Sequence, residues 1–284
     1  MTTLTIRSQP QAPLEAGVVT PDSFASKSAD EIARLPVIHG NEQASLADFF
    51  EIEGDGSADI TLNGDLSRVK SIGAGMTRGT VAVRGDAGMH LGSGMRGGEI
   101  HVFGHAGDWT GAEMSGGMIH VRGNDGHGLG GAYRGSRYGM NGGLIVVEGN
   151  AGNEAGAAMR RGLIMVKGDV GDFAGAFMTA GSIIVFGKLG IRAGAGLLRG
   201  TIVTFQNAEL LPTYRFDCRY RPAFLNLVLN DLRSRGISIP GDYSAGSFRR
   251  FSGDFNRLGK GEILVYDQRE PTRGGHCPAD DRRF

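Results

Sequence analysis

Between residues 60 and 204 the chain repeats one short signature. Ile60/Leu62, Val81/Val83, Ile100/Val102, Ile119/Val121, Ile145/Val147, Ile164/Val166 and Ile183/Val185 are apolar pairs at i and i+2, and Ile202 opens an eighth position. A spacing of two places both members on one face of a strand. From Val81 onward the pairs recur every 19 residues, apart from a single step of 26 between Ile119 and Ile145. One such strand is too short to bury its apolar face alone, but stacking units aligns like residues and closes a continuous core. The pattern predicts an all-β fold, a parallel β-helix solenoid with 19-residue turns. A left-handed coil would carry a six-residue repeat, and the crossover preference of parallel strands favours the right hand.

Glycine marks the predicted corners, at 49 of 284 residues against an ordinary share of about 7%. Gly85, Gly104, Gly123, Gly149, Gly168 and Gly187 each open a Gly-x-x-Gly-x-x-x-Gly unit, and Gly79, Gly98, Gly117, Gly143, Gly162, Gly181 and Gly200 form a further column. Three residues before each member of that column stands Met76, Met95, Met114, Met140, Met159, Met178 or Leu197. Corners that stack closely or need positive φ exclude a β-carbon. The long step is an insertion of seven residues, which sends Leu129 to Gly139 out of the coil as a loop.

The ends of a solenoid need covering. Residues 1–57 read as an N-terminal capping segment, with a capping box at Ser28 to Glu31 and a second apolar segment from Leu46 to Ile52. Residues 58–205 form the coil, and 206–284 a C-terminal extension with a helix at 222–235, led by Pro222, ended by Gly236 and followed after Tyr266 by a polar tail.

Charge and chemistry narrow the function by exclusion. Lys and Arg number 30 and Asp and Glu 30, so no global field draws the chain to nucleic acid or an anionic membrane. No signal-peptide or membrane-spanning run is present, and two cysteines, Cys218 and Cys277, suit a reducing compartment. The expectation is cytoplasmic. There is no G-x-S-x-G, H-E-x-x-H or C-x-x-C. Gly187-Lys188 and Gly259-Lys260 lack the spacing and the hydroxyl of a phosphate loop, and the repeat itself explains Gly126-x-Gly128-x-x-Gly131. His101 and His120 share an outward column beside Glu99, but a metal needs a full ligand set, so they read as an interface or solvated pair.

The 19-residue Gly-x-x-Gly-x-x-x-Gly coil resembles the domain shared by the C subunit of formylmethanofuran dehydrogenase and the C-terminal domain of the glutamate synthase large subunit. The segment Tyr214-Arg-Phe-Asp-Cys-Arg-Tyr-Arg-Pro-Ala-Phe-Leu is closer to the dehydrogenase component, including its bacterial form in the formyltransferase/hydrolase complex. The resemblance implies a non-catalytic structural subunit in one-carbon metabolism, with chemistry on amidohydrolase-like and formyltransferase-like partners. It also implies formyl exchange between a tetrahydromethanopterin-type carrier and methanofuran or methylofuran, whose polyglutamate tail is acidic; no intrinsic cofactor or metal is implied. The alternative is a spacer or channel protein related to glutamate synthase, and an independent enzyme is the third class.

Three surfaces are candidate sites. Val146, Met165, Ile184 and Val203, beside Phe186 and Phe205, make an outward apolar stripe that must meet either another subunit or the chain's own C-terminal helix. Tyr133, Arg134, Arg137 and Tyr138 give the inserted loop the composition of an interface anchor. Arg78, Arg96, Arg160, Arg161 and Arg199 fall one or two residues before the last glycine column, so stacking gathers them along one corner. Given the resemblance, that track suits the acidic tail of the carrier; the bland reading is a solvated or salt-bridged corner.

Overall fold

A computed structural model of the chain describes residues 1–241, 243 and 246–267. At its centre lies a 13-stranded sheet, and the described residues are mostly β with four short helices. Thr80–Arg84, Glu99–Val102, Met118–Val121, Asn141–Val147, Arg161–Val166, Ser182–Val185 and Arg199–Thr204 lie side by side in chain order, all parallel. Their register runs Val81, Ile100, Ile119, Ile145, Ile164, Ile183, Ile202, so each predicted apolar pair stacks on its equivalent. A second ladder of parallel bridges joins Leu66, Ala87 and Ala106, and then Asp125, Ala151, Val170 and Leu189.

Packing between units accounts for two glycine columns. A β-carbon on Gly98, at φ +82°, would lie 2.6 Å from the Gly79 carbonyl oxygen and 2.7 Å from the Met76 Cε. The glycine of one unit therefore seats the methionine of the unit before it, and Met76 to Leu197 are all buried. On Gly92 a β-carbon would meet Ile119 Cδ1 at 2.6 Å, so that column makes room for the core isoleucine.

Side chains also bond from unit to unit. Asp86 Oδ1 accepts from the His105 N–H, His105 Nδ1 from Asn124, Asn124 Oδ1 from Asn150, Asn150 Oδ1 from Asp169 and Asp169 Oδ1 from Lys188, at 2.7–2.9 Å. A second such ladder runs through Asp108, His127, Asn153 and Asp172 to Ile191. Short acceptors thus satisfy corner N–H groups that no strand partner reaches.

The sheet passes both boundaries read from the repeat. Thr2–Ile6 pairs in parallel with Asp59–Asn63 and antiparallel with Phe50–Glu53, so the capping segment supplies strands of the main sheet. The Ser28 capping box opens the helix Ala29–Ala33, and the segment from Leu46 divides into the helix Leu46–Phe49 and the strand Phe50–Glu53. At the other end Lys260–Tyr266 pairs in parallel with Arg199–Thr204, followed by Phe248–Gly253 and Arg215–Tyr220 in antiparallel order. The strands added at the two ends, Thr2–Ile6 and Phe50–Glu53 at one and Lys260–Tyr266, Phe248–Gly253 and Arg215–Tyr220 at the other, lie outside the 19-residue signature, so the repeat could not mark them. From residue 268 the predicted polar tail lies outside the described residues.

The helix Ala223–Ser234, within the predicted 222–235, corrects one site expectation. Its Leu225, Leu229 and Leu232, with Ile237 and Phe248, pack on Val146, Met165, Ile184, Phe186, Val203 and Phe205 in one buried cluster. Those six stripe residues are buried against their own chain rather than presented to a separate subunit. Phe186 and Phe205 stack with centroids 4.4 Å apart. The helix side chains remove from water the apolar area that the alternation leaves outside the inner core.

One core position breaks the apolar rule. Asp125 occupies the bridge column between Ala106 and Ala151, where neither carboxyl oxygen has a hydrogen-bond partner among the described residues. Burial pushes its carboxyl well above the usual range. The nearby Thr110 hydroxyl gives its single proton to the Gly107 carbonyl at 3.1 Å, and Asp108 adds to the upward shift. Because the folded value is raised, the folded state holds a proton that the unfolded chain releases, so the contribution of Asp125 to stability is most favourable below about pH 4 and falls as pH rises. Asp125→Ala is expected to stabilise the chain by about 1–3 kcal/mol at pH 7 and to flatten its pH dependence; chemical denaturation at pH 4 and pH 7 measures both.

Candidate functional site

The inserted loop and the arginine corner, predicted separately, meet at Tyr138. Its ring lies 5.0 Å from the Arg137 guanidinium and 5.0 Å from that of Arg160. At the loop's other side Tyr133 is held by three contacts. Its hydroxyl is 2.9 Å from His90 Nδ1, its N–H donates to Glu113 Oε1 at 3.1 Å, and its ring centroid is 5.2 Å from that of Trp109. Arg134 and Arg137 remain exposed. The loop is therefore docked along the neighbouring units, with its cations outward.

His90 makes this docking sensitive to pH. Burial pushes its imidazole below the ordinary value, Lys70 adds to the effect, and Glu15 and Asp108 oppose it. The unfolded chain then binds the proton more readily than the folded one. The stability His90 contributes is complete above about pH 6.5 and is lost as pH falls toward the lower folded value. Trp109 is the single tryptophan of the chain, so its emission reports the loop. It is expected to shift between pH 7 and pH 5, and both Tyr133→Ala and His90→Asn are expected to suppress that shift. Deleting Tyr133 to Tyr138 should leave far-ultraviolet circular dichroism unchanged, since the loop supplies no strand.

The five arginines of the corner are all exposed. Strand register puts Arg161 and Arg199 in one column, two units apart, with Lys260 opposite Arg199 on the last parallel strand. Lys260 extends the track beyond what the repeat could show. Arg96 lies toward the other end, separated from Arg160 by the units of Ser115 and Asn141, and Arg78 is drawn aside by Asp22 at 3.6 Å. The structure thus joins Arg160, Arg161, Arg199 and Lys260, and leaves Arg78 and Arg96 apart.

His101 and His120 pair in register with ring centroids 6.2 Å apart, but each is engaged by a different carboxylate. His101 Nε2 is 3.1 Å from Glu99, and His120 Nε2 is 2.8 Å from Glu148. Burial raises the Glu148 carboxyl, yet hydrogen bonds and charge from Lys167 and His120 outweigh it and hold the group below the usual range. Lys167 pairs with Glu148 and also donates to Ser238 Oγ at 2.7 Å. This row ties the segment after the C-terminal helix to the sheet. Among the described residues no group of three or more His, Cys, Asp or Glu is arranged to hold a metal ion, and no helix is long and apolar enough to cross a membrane.

The model of the GXGXG motif family matches residues 75–214. A chain of the formyltransferase/hydrolase complex from Methylorubrum extorquens, solved in complex with methylofuran, superposes with a TM-score of 0.87 at 35% identity, covering 93% of this chain and 98% of that one. The chain belongs to the C-subunit family of formylmethanofuran dehydrogenases and formyltransferase/hydrolase complexes. It is 45% identical over 93 residues to the C subunit of the tungsten-containing formylmethanofuran dehydrogenase 2 of Methanothermobacter thermautotrophicus, covering 31% of this chain and 34% of that protein. To the C subunit of the molybdenum-containing formylmethanofuran dehydrogenase 1 of Methanosarcina barkeri it is 46% identical over 83 residues, 28% of each. The matches thus span about a third of these curated relatives. The likeness to the Methylorubrum chain, by contrast, runs almost end to end.

Proposed function

We propose that the chain is a non-catalytic structural subunit, built as a right-handed parallel β-helix, of a complex that transfers or hydrolyses formyl groups in one-carbon metabolism. The observation that carries this reading is the likeness over 93% of the chain to a component of such a complex. The in-register stacking of successive units, 19 residues apart except at the insertion and the first step, and the ladder of bridges favour a coil, because one unit's strands can stack on the next only if the chain returns once per unit. Formyltransferase-like and amidohydrolase-like subunits are the proposed partners. Purified alone, the chain is expected to show no hydrolysis of a formylated furan carrier, and turnover that follows the purified chain would refute the structural role.

The arginine column is proposed to hold the acidic tail of that carrier. Arg160, Arg161, Arg199 and Lys260 supply spaced cations on one side of the sheet. Each is worth little in water, but together they raise the effective concentration of a tethered group. Replacing Arg160 and Arg161 by Glu in the assembled complex is expected to weaken carrier retention at low salt, and added salt to reproduce the loss in the unmodified protein. Retention unaffected by either change would remove the track from the mechanism.

A further inference from the structure

The last unit of the sheet displays an apolar and basic surface that neither the loop nor the arginine column uses. Phe177, Phe255 and Leu258 are 59%, 50% and 55% exposed. Asp254 is buried and its carboxylate accepts from the Gly196 N–H at 3.0 Å and the Asn256 N–H at 2.9 Å. The Gly259 N–H closes onto the Asp254 carbonyl at 3.1 Å, which pins the turn 254–259 against the final repeat. The Phe177 ring lies over Gly196, where a β-carbon would come within 2.7 Å of it. The pinned turn, which carries Phe255 and Leu258, is therefore tied through Asp254 to Gly196, the glycine that the Phe177 ring covers. The Arg257 guanidinium is 5.9 Å from the Phe177 centroid and that of Arg215 is 5.2 Å from the Phe255 centroid. Neither arginine makes a salt bridge among the described residues.

Phe177 is held against backbone preference. Its φ is +55°, and the equivalent corner is glycine at Gly75, Gly94 and Gly196 but Glu113, at φ +58°, and Ala158, at φ +55°, in the units between. Glycine meets that conformation without strain, whereas a bulky side chain does not. Glu113 and Ala158 show that the corner tolerates other side chains, and what sets Phe177 apart is a large apolar ring left 59% exposed.

We propose that this patch docks a neighbouring protein subunit whose surface presents carboxylates around an apolar side chain. The inference rests on the subunit reading above. Contiguous exposed apolar area marks interaction sites, and aromatic residues with arginine are the side chains enriched at interface centres. The charge decides the kind of partner. Among the described residues Arg215 and Arg257 make no ion pair within 4 Å; the one acid within the turn, Asp254, accepts from backbone N–H groups and feels the Arg257 charge only at longer range. An acidic partner surface completes both arginines and gains orientation from them.

The test is co-expression of the full chain with the other subunits of its complex, read by gel filtration and native mass spectrometry. Phe177→Gly relieves the corner and is expected to leave the melting temperature of the isolated chain unchanged or raised. In the complex it is expected to cut the assembled fraction at least about tenfold. Arg257→Glu should have a similar effect, while Ile38→Ser, altering an equally exposed apolar side chain in the small N-terminal sheet, should have none. Variants that assemble like the unmodified chain would overturn the patch and leave the subunit reading intact; an unmodified chain that fails to assemble would overturn both. Concentration-dependent dimerisation, or binding to phosphatidylserine vesicles, that Phe177→Gly abolishes would assign the patch to self-association or a membrane instead and would also overturn the proposal.

Discussion

Replacing Ile184 with glutamate is expected to lower the stability of the isolated chain by about 3–5 kcal/mol, the cost of an uncompensated charge in an apolar interior. Ile184 is 1% exposed, between Met165 and Val203 and beneath Leu225, Leu229 and Leu232. The carboxylate can reach water only if the helix lifts off, so the loss should appear as a lower denaturation midpoint in the purified chain without any partner. An Ile184→Glu chain that melts like the unmodified protein would mean the helix does not cover the stripe. The apolar face would then be open to another subunit. The helix also fixes where the sheet face stays uncovered. Phe103, 38% exposed between the guanidiniums of Arg84 and Arg122 at 5.1 and 4.4 Å, lies outside the buried cluster that the helix makes with the later units.

Two alanine substitutions in one unit should separate backbone conformation from stacking. Gly94, at φ +63°, has nothing within 4 Å of an added β-carbon, so Gly94→Ala is expected to cost about 1–2 kcal/mol for the left-handed conformation alone. Gly98 adds to a φ of +82° the Gly79 carbonyl oxygen at 2.6 Å and the Met76 methyl at 2.7 Å. The carbonyl belongs to the rung below and cannot move without breaking unit-to-unit pairing. Gly98→Ala is therefore expected to cost about 3 kcal/mol or more. Denaturant titration of both variants measures the gap. Equal losses would mean that the methionine and glycine columns do not pack as described.

The parts of the fold legible in the sequence are those repeated at constant spacing. Stacking converts a column in sequence into a column in space, so the alternation set the strand register from Val81 to Ile202, and the methionine and glycine columns marked a real packing pair in which Met76 meets Gly98 of the next unit. The corner ladders were equally periodic, since Asp86, His105, Asn124, Asn150 and Asp169 each follow a column glycine, but their mixed identities hid one shared role as acceptor. What pairs across long sequence separation left no periodic trace. Thr2–Ile6 beside Asp59–Asn63 and Lys260–Tyr266 beside Arg199–Thr204 are single strands. The outward stripe showed that something must cover Ile184, and the amphipathic run from Phe224 to Leu232 supplied a cover, yet only the packed structure decides between that helix and a partner. In the same way Arg160 and Tyr138 are 22 positions apart and meet because the insertion folds back across the units.

The central claim is that this chain works as a subunit of a formyl-group complex. It is tested most directly by purifying the tagged chain from its own cells through gel filtration and identifying what elutes with it by mass spectrometry. The expected result is one large species in which formyltransferase-like and amidohydrolase-like proteins accompany the chain in constant ratio across the peak. Elution of the chain alone at its monomer mass, with those proteins found in separate fractions, would contradict it.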